Sequence, residues 1–163
     1  RQGDVVEAIR LLTNLQGNKV LSDPNFHKTA DGSATFDVGT TFSYLIGGVP
    51  YSKAASDTVG GLTAAAQAAG TDCLYLISIN AAGTLAATKG TAVAYGSTPA
   101  YPATPANSAV VAALRVAIGP TAAGGFTLGT TAFNYAPASS TITLYGMGFD
   151  PNALADLEAL IDY

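Results

Sequence analysis

Thr71-Asp-Cys-Leu-Tyr-Leu-Ile-Ser-Ile-Asn-Ala-Ala-Gly-Thr-Leu-Ala-Ala-Thr-Lys-Gly90 decides the reading of the fold. Leu74, Tyr75, Leu76, Ile77 and Ile79 form a β-branched, aromatic and aliphatic run bounded by Asn80. Asn80-Ala-Ala-Gly83 predicts a tight turn. Asn suits the first position of a type I turn, and Gly83 supplies the positive φ where a bulge closes the hairpin. Thr84–Lys89 is then the returning strand. Apolar residues at successive positions of the first strand predict a central place, with material packed on both faces.

The rest of the β pattern follows outward from this hairpin. Thr40–Ile46 alternates, with Phe42, Tyr44 and Ile46 on one face, and Gly47-Gly48 separates it from Val49–Ala54. Two glycines between two strands predict a type I′ turn, whose central residues both need φ > 0. Pro50 lacks an N–H and places the second strand at an edge, or its first residues outside the ladder. Asp57–Gly70 is rich in Ala, Gly and Thr and predicts a strand or loop rather than a long helix. Ala109–Ile118 is a second apolar run ended by Gly119-Pro120, and Phe126–Leu128 and Thr141–Tyr145 complete seven to nine short strands. Between the hairpin and Ala109 lies Gly96–Asn107, where Pro99, Pro102 and Pro105 fall at every third residue and predict an extended, polyproline-like segment. It reads either as a long surface loop or as a strap crossing between sheets or onto a neighbour, with Pro99, Tyr101, Pro102 and Pro105 as its candidate contacts.

The ends read differently. Asp4-Val-Val-Glu7 resembles a capping box, and Val5, Ile9 and Leu12 then recur at helical spacing until Gly17. That helix either packs on its own domain or docks on a partner. Asn18–Gly32 carries Asp23-Pro24-Asn25 and Asp31-Gly32 and reads as an extended connection. At the other end Asp150-Pro151 is an N-cap with proline at N1, and Leu154, Leu157, Leu160 and Ile161 make an apolar stripe. The expected architecture is mainly β, an antiparallel sandwich or jelly-roll-like barrel with short N- and C-terminal helices. Its parts are residues 1–32 as helix and linker arm, 33–146 as β-sandwich, and 147–163 as a helix packed on it.

Composition narrows the function. The 163 residues are 48% hydrophobic but only 11% charged, against roughly 25% charged in an average soluble protein. A surface so rich in Ala, Thr, Ser and Gly suits a subunit partly covered by other subunits. The net charge of −4 and the scattered basic residues argue against nucleic acid as a partner. No uninterrupted apolar run is long enough to predict a membrane span. Numbering that starts at an arginine suggests that residues precede it.

Reactive chemistry is sparse. His27 is the single histidine and Cys73 the single cysteine. His27 lies in a polar segment, where a surface role is expected, and Cys73 lies in the central apolar strand, where a buried inert thiol is expected. The Gly-rich patches lack the lysine and following helix of a phosphate loop, and no Cys/His cluster has zinc spacing. The sequence therefore predicts no enzyme, no cofactor and no metal.

Thr41–Val49 with Tyr51–Ala55, Tyr75–Thr84 ending in Thr88-Lys89-Gly90, and Pro102–Asn107 ahead of an apolar strand together resemble segments of small β-rich structural proteins of tailed bacteriophages. The likeness spans roughly Thr40–Thr131; one departure is Gly47-Gly48, where Asn-Gly is expected. The resemblance implies a virion component on the outer surface of the phage head, a capsid decoration (cement) or head-fibre type, with the major capsid protein and copies of itself, as a homotrimer, for partners. It carries no functional residues with it. The alternative is a receptor- or carbohydrate-binding module of a fibre or tail, for which Tyr51, Tyr95 and Tyr101 are loosely grouped aromatic candidates.

Overall fold

The computed structural model describes residues 17–30, 32–59, 61–134 and 140–145. These form eleven strands: β1 (Lys19–Val20), β2 (Phe26–Lys28), β3 (Phe36–Val38), β4 (Phe42–Ile46), β5 (Val49–Lys53), β6 (Ser56–Val59), β7 (Thr71–Asn80), β8 (Leu85–Lys89), β9 (Val93–Ala94), β10 (Ser108–Ile118) and β11 (Thr141–Tyr145). They make three antiparallel sheets. The large one runs β11-β10-β7-β8, with β9 also paired to β7; the two small ones run β1-β4-β5 and β2-β3-β6.

The protein is thus mainly β and antiparallel, as its alternation predicts. The jelly-roll-like barrel is not formed: among the described residues all three sheets stay open. Two long strands, β7 and β10, dominate one sheet, and the short strands opposite cannot continue its ladder. Both terminal helices, with Val5, Ile9 and Leu12 and with Leu154, Leu157, Leu160 and Ile161, lie outside the described residues.

The deciding hairpin forms as read. β7 is central, hydrogen-bonded to β10 on one edge and to β8 on the other. At the turn, Asn80 Oδ1 accepts from the N–H groups of Ala82 and Thr84, Gly83 N–H donates to Asn80 O, and Gly83 has φ 75°. Gly47 and Gly48 have φ 59° and 79°, the signs a type I′ turn requires, and Pro50 sits on edge strand β5. Residues 18–30 are more regularly paired than their polar composition suggests. Val20 pairs with Tyr44 and Phe26 with Val38, so single apolar residues recruit this stretch into both small sheets. Phe126–Leu128, read as a strand, makes only an isolated bridge to Gln67; Phe126 and Leu128 are nonetheless fully buried.

One core joins the sheets. Phe26, Phe36 and Val38 meet Phe42, Tyr44 and Ile46, the inner face of β7 (Cys73, Tyr75, Ile77, Ile79) and the inner face of β10 (Leu114, Val116, Ile118). Rings connect the layers, with Phe36 between Phe26 and Phe133 at centroid distances of 4.8 and 4.6 Å. The outer face of β7 is buried too: Leu74, Leu76 and Ser78 are each no more than 5% exposed.

Candidate functional site

The cover over that outer face is the proline segment. β9 and β10 flank β7 on opposite edges and both run antiparallel to it, so they are parallel to each other. Antiparallel neighbours need only a turn, whereas parallel strands need a crossover. Here the crossover is the extended stretch 95–107 rather than a helix. It crosses the outer face from the Thr71 end of β7 to the Asn80 end. At Gly90 it packs close: a Cβ there would stand 2.9 Å from Leu74 O, 3.1 Å from Ala100 O and 3.3 Å from Pro102 Cδ. Pro99 is buried, Pro102 and Pro105 are half-buried, and Tyr101 is exposed. The strap is therefore seated on its own sheet, with Tyr101 presented outward.

Close enough to Tyr101 to act on its charge lies an ion pair. Arg115 on β10 reaches diagonally to Asp72 on β7 and donates twice, Nε to Oδ1 at 3.1 Å and a terminal nitrogen to Oδ2 at 2.6 Å. Asp72 is 1% exposed and Arg115 38%. The carboxylate is buried, and its two hydrogen bonds hold the partly exposed guanidinium in place. Donating to the Asp72 carboxylate pushes the Arg115 pKa further up, and a side-chain hydrogen bond with Tyr145 adds to it. Burial pushes the Tyr101 hydroxyl up, with Tyr145 adding to the shift and Arg115 opposing it. Tyr145 pairs with Ala113, two positions before Arg115, and so shares its face. Tyr101, Arg115 and Tyr145 make a tyrosine–arginine patch on rigid backbone.

Arg115, Asp72 and Tyr145 were not singled out from the sequence. The signal was available: Asp72 and Arg115 are lone charges of opposite sign in two apolar strands. A charge in a central strand needs a partner, so such a pair is expected to meet. The aromatic candidates do not form one group. Tyr51 stacks on Tyr44 with centroids 5.6 Å apart in the β1-β4-β5 sheet, while Tyr101 lies over the large sheet.

His27 and Cys73 take the places expected of them. His27 is half-exposed, its Nδ1–H donating to Asn25 O at 2.6 Å, with Nε2 3.8 Å from Asp37 Oδ2. Cys73 is fully buried and its thiol donates to Gly90 O at 3.3 Å; burial pushes its pKa up, away from the thiolate a nucleophile needs. Among the described residues no group of three or more His, Cys, Asp or Glu is placed to hold a metal ion.

Comparison of the chain with protein-family models, with curated proteins and with solved structures gave no match.

Proposed function

We propose that this chain is a non-enzymatic structural protein of a bacteriophage virion, a decoration (cement) protein that binds the outer surface of the head. The observation that carries the reading is the tyrosine–arginine patch on the strapped face of the large sheet. Tyr and Arg are enriched where proteins meet, and side chains already fixed in place lose little entropy on association. Low overall charge and the resemblance to small phage structural proteins support the same reading. In it, the patch joins copies into a homotrimer, and the N-terminal stripe Val5, Ile9 and Leu12 contacts the major capsid protein.

Sedimentation of the purified chain, with co-sedimentation on undecorated heads, tests both parts. The expected result is a trimer that binds heads in saturable fashion, and a chain lacking residues 1–17 that stays trimeric but no longer binds. A monodisperse monomer, or a truncated chain that still decorates heads fully, overturns the reading.

A further inference from the structure

The three sheets meet at a polar groove away from the tyrosine–arginine patch. It holds about 240 Å³ and is lined by Lys53 of β5, Ser56, Thr58 and Val59 of β6, and Gly83, Thr84 and Leu85 where the central hairpin turns into β8. Lys53 is its single charge, and its ammonium makes no hydrogen bond or ion pair among the described residues. Asp57, the carboxylate nearest in sequence, is exposed and lies outside the lining. Ser56, Thr58 and Thr84 add three hydroxyls to the lining, and Val59 and Leu85 add apolar side chains.

A second feature singles out the same groove. Thr58 has φ 68°, a left-handed conformation that a β-branched residue adopts only under constraint. The constraint is Asp37, whose Oδ1 accepts from Thr58 N–H at 2.6 Å and from Thr29 Oγ1 at 2.7 Å. Asp37 sits where the β3–β6 register slips, so the carboxylate clamps an irregularity in the sheet. Backbone strain of this kind concentrates at binding sites, where the surrounding structure holds it for a purpose.

We propose that this groove binds a small carboxylate-bearing polyol, an acidic sugar ring of the uronate type. Lys53 takes the carboxylate, Ser56, Thr58 and Thr84 exchange hydrogen bonds with ring hydroxyls, and Val59 and Leu85 meet the apolar edge of the ring. The volume lies below the roughly 300–1,000 Å³ of drug-sized pockets, which fits one ring rather than a chain of them. Recognition proceeds without aromatic stacking, so weak binding is expected, with a Kd on the order of 1 mM. The site is independent of the capsid reading and stands or falls separately from it.

The test is an NMR titration of the full chain with glucuronate, glucose, acetate and inorganic phosphate, following backbone amides of Ser56, Thr58 and Thr84. Glucuronate should give saturable shifts at these amides and bind at least tenfold more tightly than glucose or acetate. Lys53→Met, a change at a half-buried position on an edge strand, should lower the glucuronate affinity at least tenfold. Thr58→Gly relieves the strained φ and so keeps the fold, yet should weaken binding by removing a hydroxyl and the fixed wall. Equal binding of glucose removes the role of Lys53, equal binding of acetate removes the polyol, and tighter binding of phosphate replaces the ligand class. Absence of saturation with glucuronate, or a Lys53→Met chain that binds normally, overturns the proposal.

Discussion

The two faces of β7 solve the same problem with different chemistry. Each carries a buried polar group against otherwise apolar surface. On the inner face Gln67 is 1% exposed and makes a closed neutral network: Nε2 donates to Thr71 O and Val116 O, Oε1 accepts from the Tyr75 hydroxyl, and its backbone bridges Phe126 in both directions. On the outer face the buried Asp72 is answered by an ion, Arg115, whose other side reaches solvent and two tyrosines. Inside, every donor and acceptor of Gln67 is used within the fold, and nothing remains for a partner. Outside, the guanidinium and the tyrosine rings remain accessible. A neutral network specifies a core; a half-exposed ion pair offers a surface.

Substitutions at Gln67 should have the largest effect. Gln67→Leu fills a similar volume but leaves Thr71 O, Val116 O and the Tyr75 hydroxyl buried without their partner. With several groups left unsatisfied, a loss of about 3–5 kcal/mol is expected in urea unfolding. A loss under about 1 kcal/mol would mean that water replaces the side chain and that the inner network is not closed.

The outer pair should show an asymmetry that the inner network lacks. Arg115→Met strands a nearly inaccessible carboxylate, so a cost of about 2–3 kcal/mol is expected, the lower part of the range for a broken buried pair because Arg115 is partly exposed. Asp72→Asn keeps an acceptor for Arg115, which can also turn to water, and about 1 kcal/mol is expected. Equal costs in denaturant melts would erase the distinction between a buried anion and a surface cation.

Alkaline titration sharpens the comparison. Burial raises Tyr75 strongly, and also raises Tyr44 and Tyr101. A folded pKa raised above the unfolded value of about 10 means stability that is complete below that pH and lost as pH rises through the folded value. Thermal melts should therefore be flat in this respect up to about pH 10 and fall beyond it. Phenolate absorbance should show Tyr75 ionising only with unfolding, while Tyr101 ionises in the folded chain. Ionisation of Tyr75 ahead of unfolding would show that the inner face is open to water.

The smallest effect concerns Asp37, outside β7 altogether. Its pKa is lowered by the Thr29 hydrogen bond first, then by the Thr58 N–H, with His27 adding a small attraction. A depressed folded pKa gives stability that is present above the ordinary carboxylate value of about 3.9 and lost as pH falls through the folded value. Acidification through that window should speed amide exchange at Thr58 before the β7 amides respond. Simultaneous exchange at both would tie the strained turn to the global unfolding of the large sheet.

Local chemistry by itself determined much of this fold. The Asn80–Gly83 and Gly47-Gly48 turns were legible because each depends on the backbone preferences of two or three adjacent residues. The central position of β7 was legible because only a strand buried on both faces tolerates apolar residues at successive positions. The edge position of β5 followed from one proline. The extended character of the strap was also legible, since proline at every third residue excludes helix and ladder alike.

Tertiary structure decided the rest. Gln67 reads in sequence as a polar interruption of an alanine run. It becomes the hub of the inner face only because Phe126 and Val116 arrive from distant parts of the chain to join the nearby Tyr75. Arg115 and Asp72 lie 43 positions apart, and their meeting depends on the β7–β10 register, which no local preference sets. The strap's landing place depends on which edges of β7 are taken by β9 and β10. The groove needs Lys53 and Thr58 from the two small sheets and Thr84 from the turn of the large one. Turn and strand identity are short-range properties carried by neighbouring residues. Which strands become neighbours is settled by the shared core, where each long-range pairing must bury apolar surface and satisfy polar groups together.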